Sequence, residues 1–158
     1  MERGMKKRIV SLFLAILMCV ALLPASAFAE GGESTPASGL PADGSRVVIY
    51  NAPFGVALDA DNIGTPIAFM DGAVLNAEES LIWEVTANED GTFRFSQNDG
   101  FLSVGTGDGE LVSDGENPDW TVERHGEGFS IKNTARDSYL AWNADESRFV
   151  TDANIDDS

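Results

Sequence analysis

The feature that most constrains the fold of this chain is a short pattern that recurs three times along it. The three copies are "SRVVIYNAPFGVALDA" at 45–60, "DGTFRFSQNDGFLSVG" at 90–105 and "EGFSIKNTARDSYLAWN" at 127–143. Each copy has an apolar-x-apolar strand, a polar loop and a second strand that contains a leucine. The residues that recur are Val47, Ile49 and Leu58, then Phe93, Phe95 and Leu102, then Phe129, Ile131 and Leu140. Such self-similarity is typical of architectures whose units cannot bury their apolar faces alone.

Two further signals predict that the repeats are built from short strands. A Trp-x-Val segment precedes the second and third copies, at 83–85 and 120–122, and we expect both tryptophans in the core. Asp-Gly pairs occur at 43, 71, 90, 99, 108 and 114, and this dipeptide favours tight hairpin turns. The alternation of apolar and polar residues has the period of a strand. The sequence therefore predicts an all-β fold of three units, each about 40 residues long.

The N-terminus has the order of a secretory signal peptide. Basic residues between Arg3 and Arg8 precede an apolar run at 9–23, and Ala27-Phe28-Ala29 supplies a small-x-small cleavage site. We expect cleavage after Ala29 and an extracellular protein with no membrane attachment. The alternative is a retained anchor, for which the run is shorter than the usual span of about 20 residues.

The segment at 30–42 is rich in Gly, Ser and Pro and is predicted to be a flexible linker, which places the domain at 43–158. The formal net charge of the whole chain is −16. Removal of the leader makes it more negative, because the leader holds four of the ten basic residues and one of the 26 acidic ones. Such a surface repels phosphate backbones and anionic lipids, so nucleic acid and membranes are not expected as partners.

The third copy lacks a partner strand. The spacings from Leu58 to Trp83 and from Leu102 to Trp120 place a third Trp-x-Val strand no earlier than residue 158, and "TDANIDDS" at 151–158 shows no apolar alternation. We therefore expect the third repeat to lack its closing strand and the domain to be incomplete at its C-terminal end. A covalently linked effector domain in a longer parent protein is the corresponding expectation.

The pattern "DGSRVVIYNAPFGVALDA … W-x-V … FLSVG … W-x-V … GFSIKN … YLAWN" resembles the ricin-type and related β-trefoil modules. It is most similar to trefoil-like modules of secreted multidomain proteins of Gram-positive bacteria, which often accompany metallophosphoesterase, nuclease or cell-wall-associated domains. The resemblance covers residues 43 to about 152 and implies a β-trefoil, a six-stranded barrel capped by three hairpins. Ricin-type repeats carry Gln two residues before the tryptophan, whereas Leu81 and Pro118 stand at these positions here.

No residue set in the sequence predicts catalysis. The single histidine, His125, lies in a predicted turn, and the chain has no Gly-x-Ser-x-Gly elbow. The segment "GTGDGE" at 105–110 lacks the third glycine of a dinucleotide-binding loop, and we interpret it as a hairpin tip. We expect neither enzymatic activity nor a cofactor.

One loop has some features of a calcium site. In the segment that begins "DADNIG" at 59–64, Asp59, Asp61 and Gly64 match the first, third and sixth positions of an EF-hand loop. The fifth and twelfth positions are Ile63 and Met70, which are not calcium ligands, so a complete EF-hand is excluded. No metal is expected, with a weak calcium contact as the alternative.

The segments that follow the three leucine strands, at 58–62, 102–108 and 140–146, are the candidate ligand sites. Sugar pockets combine an aromatic face with polar groups that bind hydroxyls. The third segment alone has both types, and the second, rich in glycine, is interpreted as degenerate. The candidate residues are Trp142, Asn143 and Asp145, with Tyr139 and Arg136 nearby. The alternative for Trp142 is a core position, because it shares strand parity with Leu140.

Taken together, these patterns predict a secreted, non-catalytic β-trefoil module that binds carbohydrate or a cell-surface polymer as the accessory to a larger protein. One alternative is a structural spacer without a ligand. The other is a trefoil-type protease inhibitor, whose bait loop would be 59–80, a segment without basic residues.

Overall fold

The structure, a computed structural model, describes residues 18–20, 39–70, 73–75 and 77–154. Within these ranges the regular elements are β-strands and one 3-10 turn at Glu79–Leu81. The strands are β1 (Met18–Val20), β2 (Arg46–Asn51), β3 (Val56–Leu58), β4 (Gly64–Pro66), β5 (Ala68–Met70), β6 (Ala73–Leu75), β7 (Ile82–Ala87), β8 (Phe93–Gln97), β9 (Gly100–Val104), β10 (Leu111–Ser113), β11 (Trp120–His125), β12 (Gly128–Asn133), β13 (Ser138–Asn143) and β14 (Arg148–Asp152). The predicted all-β class is confirmed.

All of the strand pairs are antiparallel. Pairing leads from β2 to β7, then to β8, β11 and β12. Strand β1 pairs with both β12 and β2. Three hairpins extend from this path: β3–β4 next to β2, β9–β10 next to β8, and β13–β14 next to β12. Strands β5 and β6 form a separate pair.

The apolar residues of the three similar sequence segments are buried in one cluster, as the sequence predicts. That cluster contains both apolar residues of each first strand, which are at most 7% exposed, and the three leucines. Side chains at alternate positions of a strand point to the same face, so each apolar-x-apolar segment places both side chains inward. Trp83 and Trp120 belong to the same cluster, which confirms that they are core residues.

The two core tryptophans use their indole groups in the same way. Trp83 Nε1 donates to the carbonyl oxygen of Leu58 at 3.0 Å, and Trp120 Nε1 donates to the carbonyl oxygen of Leu102 at 2.8 Å. A buried indole N–H needs an acceptor, and in both repeats the leucine strand supplies it. The two Trp-x-Val segments thus make the same contact.

The Asp-Gly pairs form turns, as the sequence predicts. In each pair within the described ranges, one of the two residues has a positive φ: Gly44, Gly91, Asp99, Gly109 and Asp114. The pair at 71–72 lies outside the described residues.

Strand β1 lies within the segment that the sequence assigns to the leader. The leader is expected to be separate from the domain, whereas residues Met18–Val20 pair with β2 and β12. The signal peptide remains a prediction, as do its cleavage and the linker at 30–42. Within the described ranges, no helix is both long enough and apolar enough to span a membrane.

Candidate ligand-binding site

Two adjoining cavities lie between the loop at 105–110 and the hairpin of β13 and β14. Their volumes are about 340 and 360 Å³. They share one wall, made by Asp108, Gly109, Thr151 and Ala153. We call them the Arg136 cavity and the Arg148 cavity, after the arginine that lines each. Volumes of this size lie at the lower end of the range for small-molecule sites, about 300–1,000 Å³.

Backbone contacts hold the loop at 105–110 in place. The Thr151 N–H donates to the Gly109 carbonyl at 3.0 Å, and this bond fixes the shared wall to β14. Gly109 has a φ of 68°, and a Cβ there would lie 3.1 Å from the carbonyl oxygen of Thr151. Glycine therefore allows both the turn and the close approach of the two backbones. The Asp-Gly pair at 108–109 is local in sequence, but the wall it forms depends on a strand more than 40 residues later.

The Arg136 cavity is lined mainly by polar groups. Thr106, Asp108 and Arg136 contribute a hydroxyl, a carboxylate and a guanidinium group. Arg136 Nη2 also donates to the Gly105 carbonyl at 3.1 Å, so its side chain is held against the loop. Ser138 also lines this cavity and is 8% exposed, and within the described chain its Oγ has no hydrogen-bond partner.

The Arg148 cavity combines charged groups of both signs. Arg148 Nε donates to Glu146 Oε2 at 2.6 Å, and Asp152 and Asn143 also line the cavity. Asn143 has a structural role as well, because its Oδ1 accepts the N–H groups of Asp145 and Glu146 at 3.0 and 3.1 Å. The amide oxygen is therefore committed to the β13–β14 turn, and Nδ2 is the part of the side chain suited to bind a ligand.

The structure brings two of the five predicted site residues to these cavities. Arg136 lines the first cavity and Asn143 the second. Asp145 lies in the exposed turn of the hairpin, where its N–H bonds to Asn143. Tyr139 lies apart from both cavities, with Lys132 Nζ 5.0 Å from its ring centroid. Asp137, which pairs with Lys132, raises the pKa of that ammonium group by hydrogen bonding to it.

Trp142 packs against the core. Its ring centroid is 5.1 Å from that of Phe149 and 6.1 Å from that of the partly exposed Phe54. A Cβ on Gly64 would lie 2.1 Å from Cζ3 of the indole, so the ring lies directly on this glycine. Trp142 is partly buried, and within the described chain its Nε1 has no hydrogen-bond partner. The indole thus has packing contacts, and its use as a ligand platform stays a prediction.

Sequence reasoning missed the wall that the two cavities share. It interpreted the glycine-rich segment at 102–108 as a degenerate site, yet Val104, Thr106, Gly107 and Asp108 line the Arg136 cavity. Ser138 and Thr151 were missed because they occupy inward positions of ordinary strands. The available signal was the Asp-Gly pair at 108–109, which the sequence analysis used only as a turn marker.

The carboxylate of Asp59 is occupied by its own loop. Asp59 Oδ1 accepts the N–H groups of Asp61 and Ile63, both at 3.0 Å, and Oδ2 accepts the hydroxyl of Thr65 at 2.8 Å. In the described ranges no group of three or more His, Cys, Asp or Glu side chains is arranged to hold a metal ion.

Comparison with protein-family models finds no match for this chain, and searches among curated proteins and solved structures likewise find no significant match.

Proposed function

We propose that this protein is a secreted, non-catalytic β-trefoil module that binds carbohydrate or another hydroxyl-rich surface polymer through the two adjoining cavities. The observation that carries the proposal is the composition of their walls. Hydroxyl, carboxylate, guanidinium and amide groups from Thr106, Asp108, Arg136, Asn143 and Arg148 line the two adjoining cavities. Donors and acceptors at close spacing suit a ligand with many hydroxyl groups.

The order of strand pairing supports the trefoil part of the proposal. While the predicted leader remains attached, β1, β2, β7, β8, β11 and β12 each pair with two others of this set, which is the connectivity of a six-stranded barrel. The β3–β4, β9–β10 and β13–β14 hairpins stand next to every second barrel strand. The matching bonds from Trp83 to Leu58 and from Trp120 to Leu102 support a repeated unit.

The ligand test uses the full chain on a glycan array, followed by calorimetry with any glycan that binds. Asp108→Ala is expected to weaken binding about tenfold, the equivalent of about 1.4 kcal/mol, because a charged hydrogen-bonding group is lost from the shared wall. Asp61→Ala is the matched control, since Asp61 is also exposed and acidic but lies outside both cavities.

The outcomes separate this proposal from the structural-spacer alternative. Weaker binding by Asp108→Ala with an unchanged melting temperature supports the cavities as the site. A protein that binds no glycan or wall polymer would be a spacer. Equal losses in Asp108→Ala and Asp61→Ala would indicate a general charge effect and would refute the assignment of the site.

A further inference from the structure

Strand β1 occupies the same position in the pairing as the two Trp-x-Val segments. Three valines lie opposite the second apolar residue of a repeat: Val20 opposite Ile49, Val85 opposite Phe95 and Val122 opposite Ile131. The residues two positions earlier lie opposite the first apolar residue of a different repeat: Met18 opposite Phe129, Trp83 opposite Val47 and Trp120 opposite Phe93. Met18 therefore stands where the other two repeats have tryptophan.

The third leucine strand lacks the indole bond that the other two have. The chain contains three tryptophans. Trp83 and Trp120 donate to Leu58 and Leu102, whereas Trp142 Nε1 has no hydrogen-bond partner within the described chain. No indole therefore reaches the carbonyl oxygen of Leu140, the equivalent residue of the third repeat. A methionine at position 18 cannot supply this bond, because its side chain has no N–H.

The amide side chains at the ends of β2, β8 and β12 give a second, independent indication. In β8 and β12 the amide is paired with the neighbouring Trp-x-Val strand. Gln97 Nε2 donates at 2.9 Å to the carbonyl of Ile82, the residue before Trp83. Asn133 Nδ2 donates to the carbonyls of Asn117 at 2.9 Å and of Asp119, the residue before Trp120, at 3.4 Å.

Asn51 is the corresponding residue of β2. It is fully buried, and in the described part of the chain its Nδ2 has no hydrogen-bond partner. Its Oδ1 accepts the N–H of Phe54, so the side chain is held in the orientation of a turn-forming asparagine. Buried amide donors are nearly always paired, and among the described residues Asn51 Nδ2 lacks the carbonyl acceptor that Ile82 and Asp119 supply to Gln97 and Asn133.

We propose that the position between β2 and β12 is an acceptor site for an extended Trp-x-Val segment of a partner polypeptide, and that Met18–Val20 is its placeholder while the predicted leader remains attached. The acceptor site is bounded by residues 49–51 of β2 and by Phe129 of β12, with which β1 pairs. The incoming strand runs antiparallel to both neighbours, its indole donates to Leu140, and its preceding carbonyl accepts from Asn51. Main-chain bonds to two strand edges give affinity in such strand addition, and the side-chain positions give specificity.

The donor is a partner rather than a second folded copy of this chain. The two Trp-x-Val segments of this sequence lie in β7 and β11, and their tryptophans are 2% and 0% exposed. Each segment already pairs on both edges, with β2 and β8 or with β8 and β12. A second copy would have to unfold its own core to donate either one.

The test uses the full chain and a synthetic peptide with the sequence of residues 117–125, which includes the tryptophan, the valine and the preceding carbonyls. Binding is measured by calorimetry, and hydrogen exchange is followed by mass spectrometry. We expect binding that is at least tenfold weaker when the peptide carries Trp120→Ala. We also expect faster exchange of residues 18–20, while residues 49–51 remain protected, because the peptide replaces β1.

A protein variant sharpens the test. Cys19→Pro removes an N–H from the middle of β1 and is expected to tighten peptide binding by weakening the placeholder. Ser26→Pro, outside β1 but within the predicted leader, is the matched control and should leave the affinity unchanged. If Cys19→Pro does not fold, the proposal is still tested by comparing the binding of the 117–125 peptide and its Trp120→Ala variant to the unmodified chain.

Three results would overturn the proposal. The first is no peptide binding to the unmodified chain or to Cys19→Pro. The second is equal binding of the Trp120→Ala peptide, since the indole would then have no role. The third is peptide-independent dimerisation of Cys19→Pro that protects residues 49–51, because it would assign the acceptor site to a second copy.

Discussion

Trp120 and Trp142 are the same residue type on neighbouring hairpins, yet they contribute to the molecule in different ways. The indole of Trp120 is fully buried, and its N–H is bonded to the Leu102 carbonyl. The indole of Trp142 is partly buried between Phe54, Phe149 and Gly64, and its Nε1 has no partner in the described chain. Trp120, which recurs with the sequence pattern, is part of the core, whereas Trp142, which does not, is partly buried and packs against the core.

The largest effect is expected at Trp120. Trp120→Ala should lower the free energy of unfolding by about 3–5 kcal/mol, because it leaves a cavity in the core and removes the indole bond. Denaturant unfolding measures the change. Trp120→Phe is the control that keeps most of the packing and loses the N–H. A smaller loss in Trp120→Ala than in Trp142→Ala would reverse the comparison.

Trp142→Ala is expected to cost less, about 1–3 kcal/mol, because the ring is only partly removed from water. The thermal melt should show a clear decrease while the chain stays folded. If the melt is unchanged and glycan binding is lost, Trp142 is a ligand platform, as the sequence analysis predicts. Trp142→Phe separates loss of ring area from loss of the indole N–H.

At position 18, which is equivalent to Trp83 and Trp120 in the strand pairing, a substitution is expected to increase the stability of the chain. Met18→Trp should stabilise the full chain by about 1 kcal/mol, the typical net value of one hydrogen bond, because an indole there can donate to the Leu140 carbonyl. Met18→Phe supplies a ring without the N–H and should give less. Equal changes in melting temperature for the two variants would show that no such bond forms.

The smallest effect concerns the loop beneath Trp142. Millimolar calcium should raise the melting temperature only slightly and no more than magnesium does, because screening of the negative surface is the only expected contribution. The Asp59 carboxylate already accepts three hydrogen bonds within its loop. A large shift specific to calcium that disappears in Asp59→Ala would establish a metal site there.

The inward faces and turns were predictable because their signals are local. Phe93 and Phe95 alternate with polar residues, and alternation alone sets which side chains share a face. Asp-Gly pairs specify turns within two residues. Trp83 and Trp120 recur with the sequence pattern, which is typical of core residues.

The cavities and β1 were not predictable, for different reasons. The shared wall joins Gly109 to Thr151, and nothing in either segment indicates that the two meet. Met18 and Val20 lie within an apolar run, where no alternation distinguishes a strand from the rest of the run. The proposed acceptor site depends on Asn51, and only the contacts of its buried amide distinguish this residue from an ordinary turn asparagine.

The hydrogen bond between Thr151 and Gly109 also bears on the order in which parts of the molecule fold. The indole bonds connect residues 25 and 18 positions apart, and the hairpin strands are neighbours along the chain. Contacts between residues close in sequence form early during folding, whereas distant ones wait until a long loop has closed. The wall shared by the two cavities is therefore expected to assemble after the local hairpins have formed. Binding at this site thus requires β14, and a nascent chain that has not yet reached Thr151 lacks the shared wall.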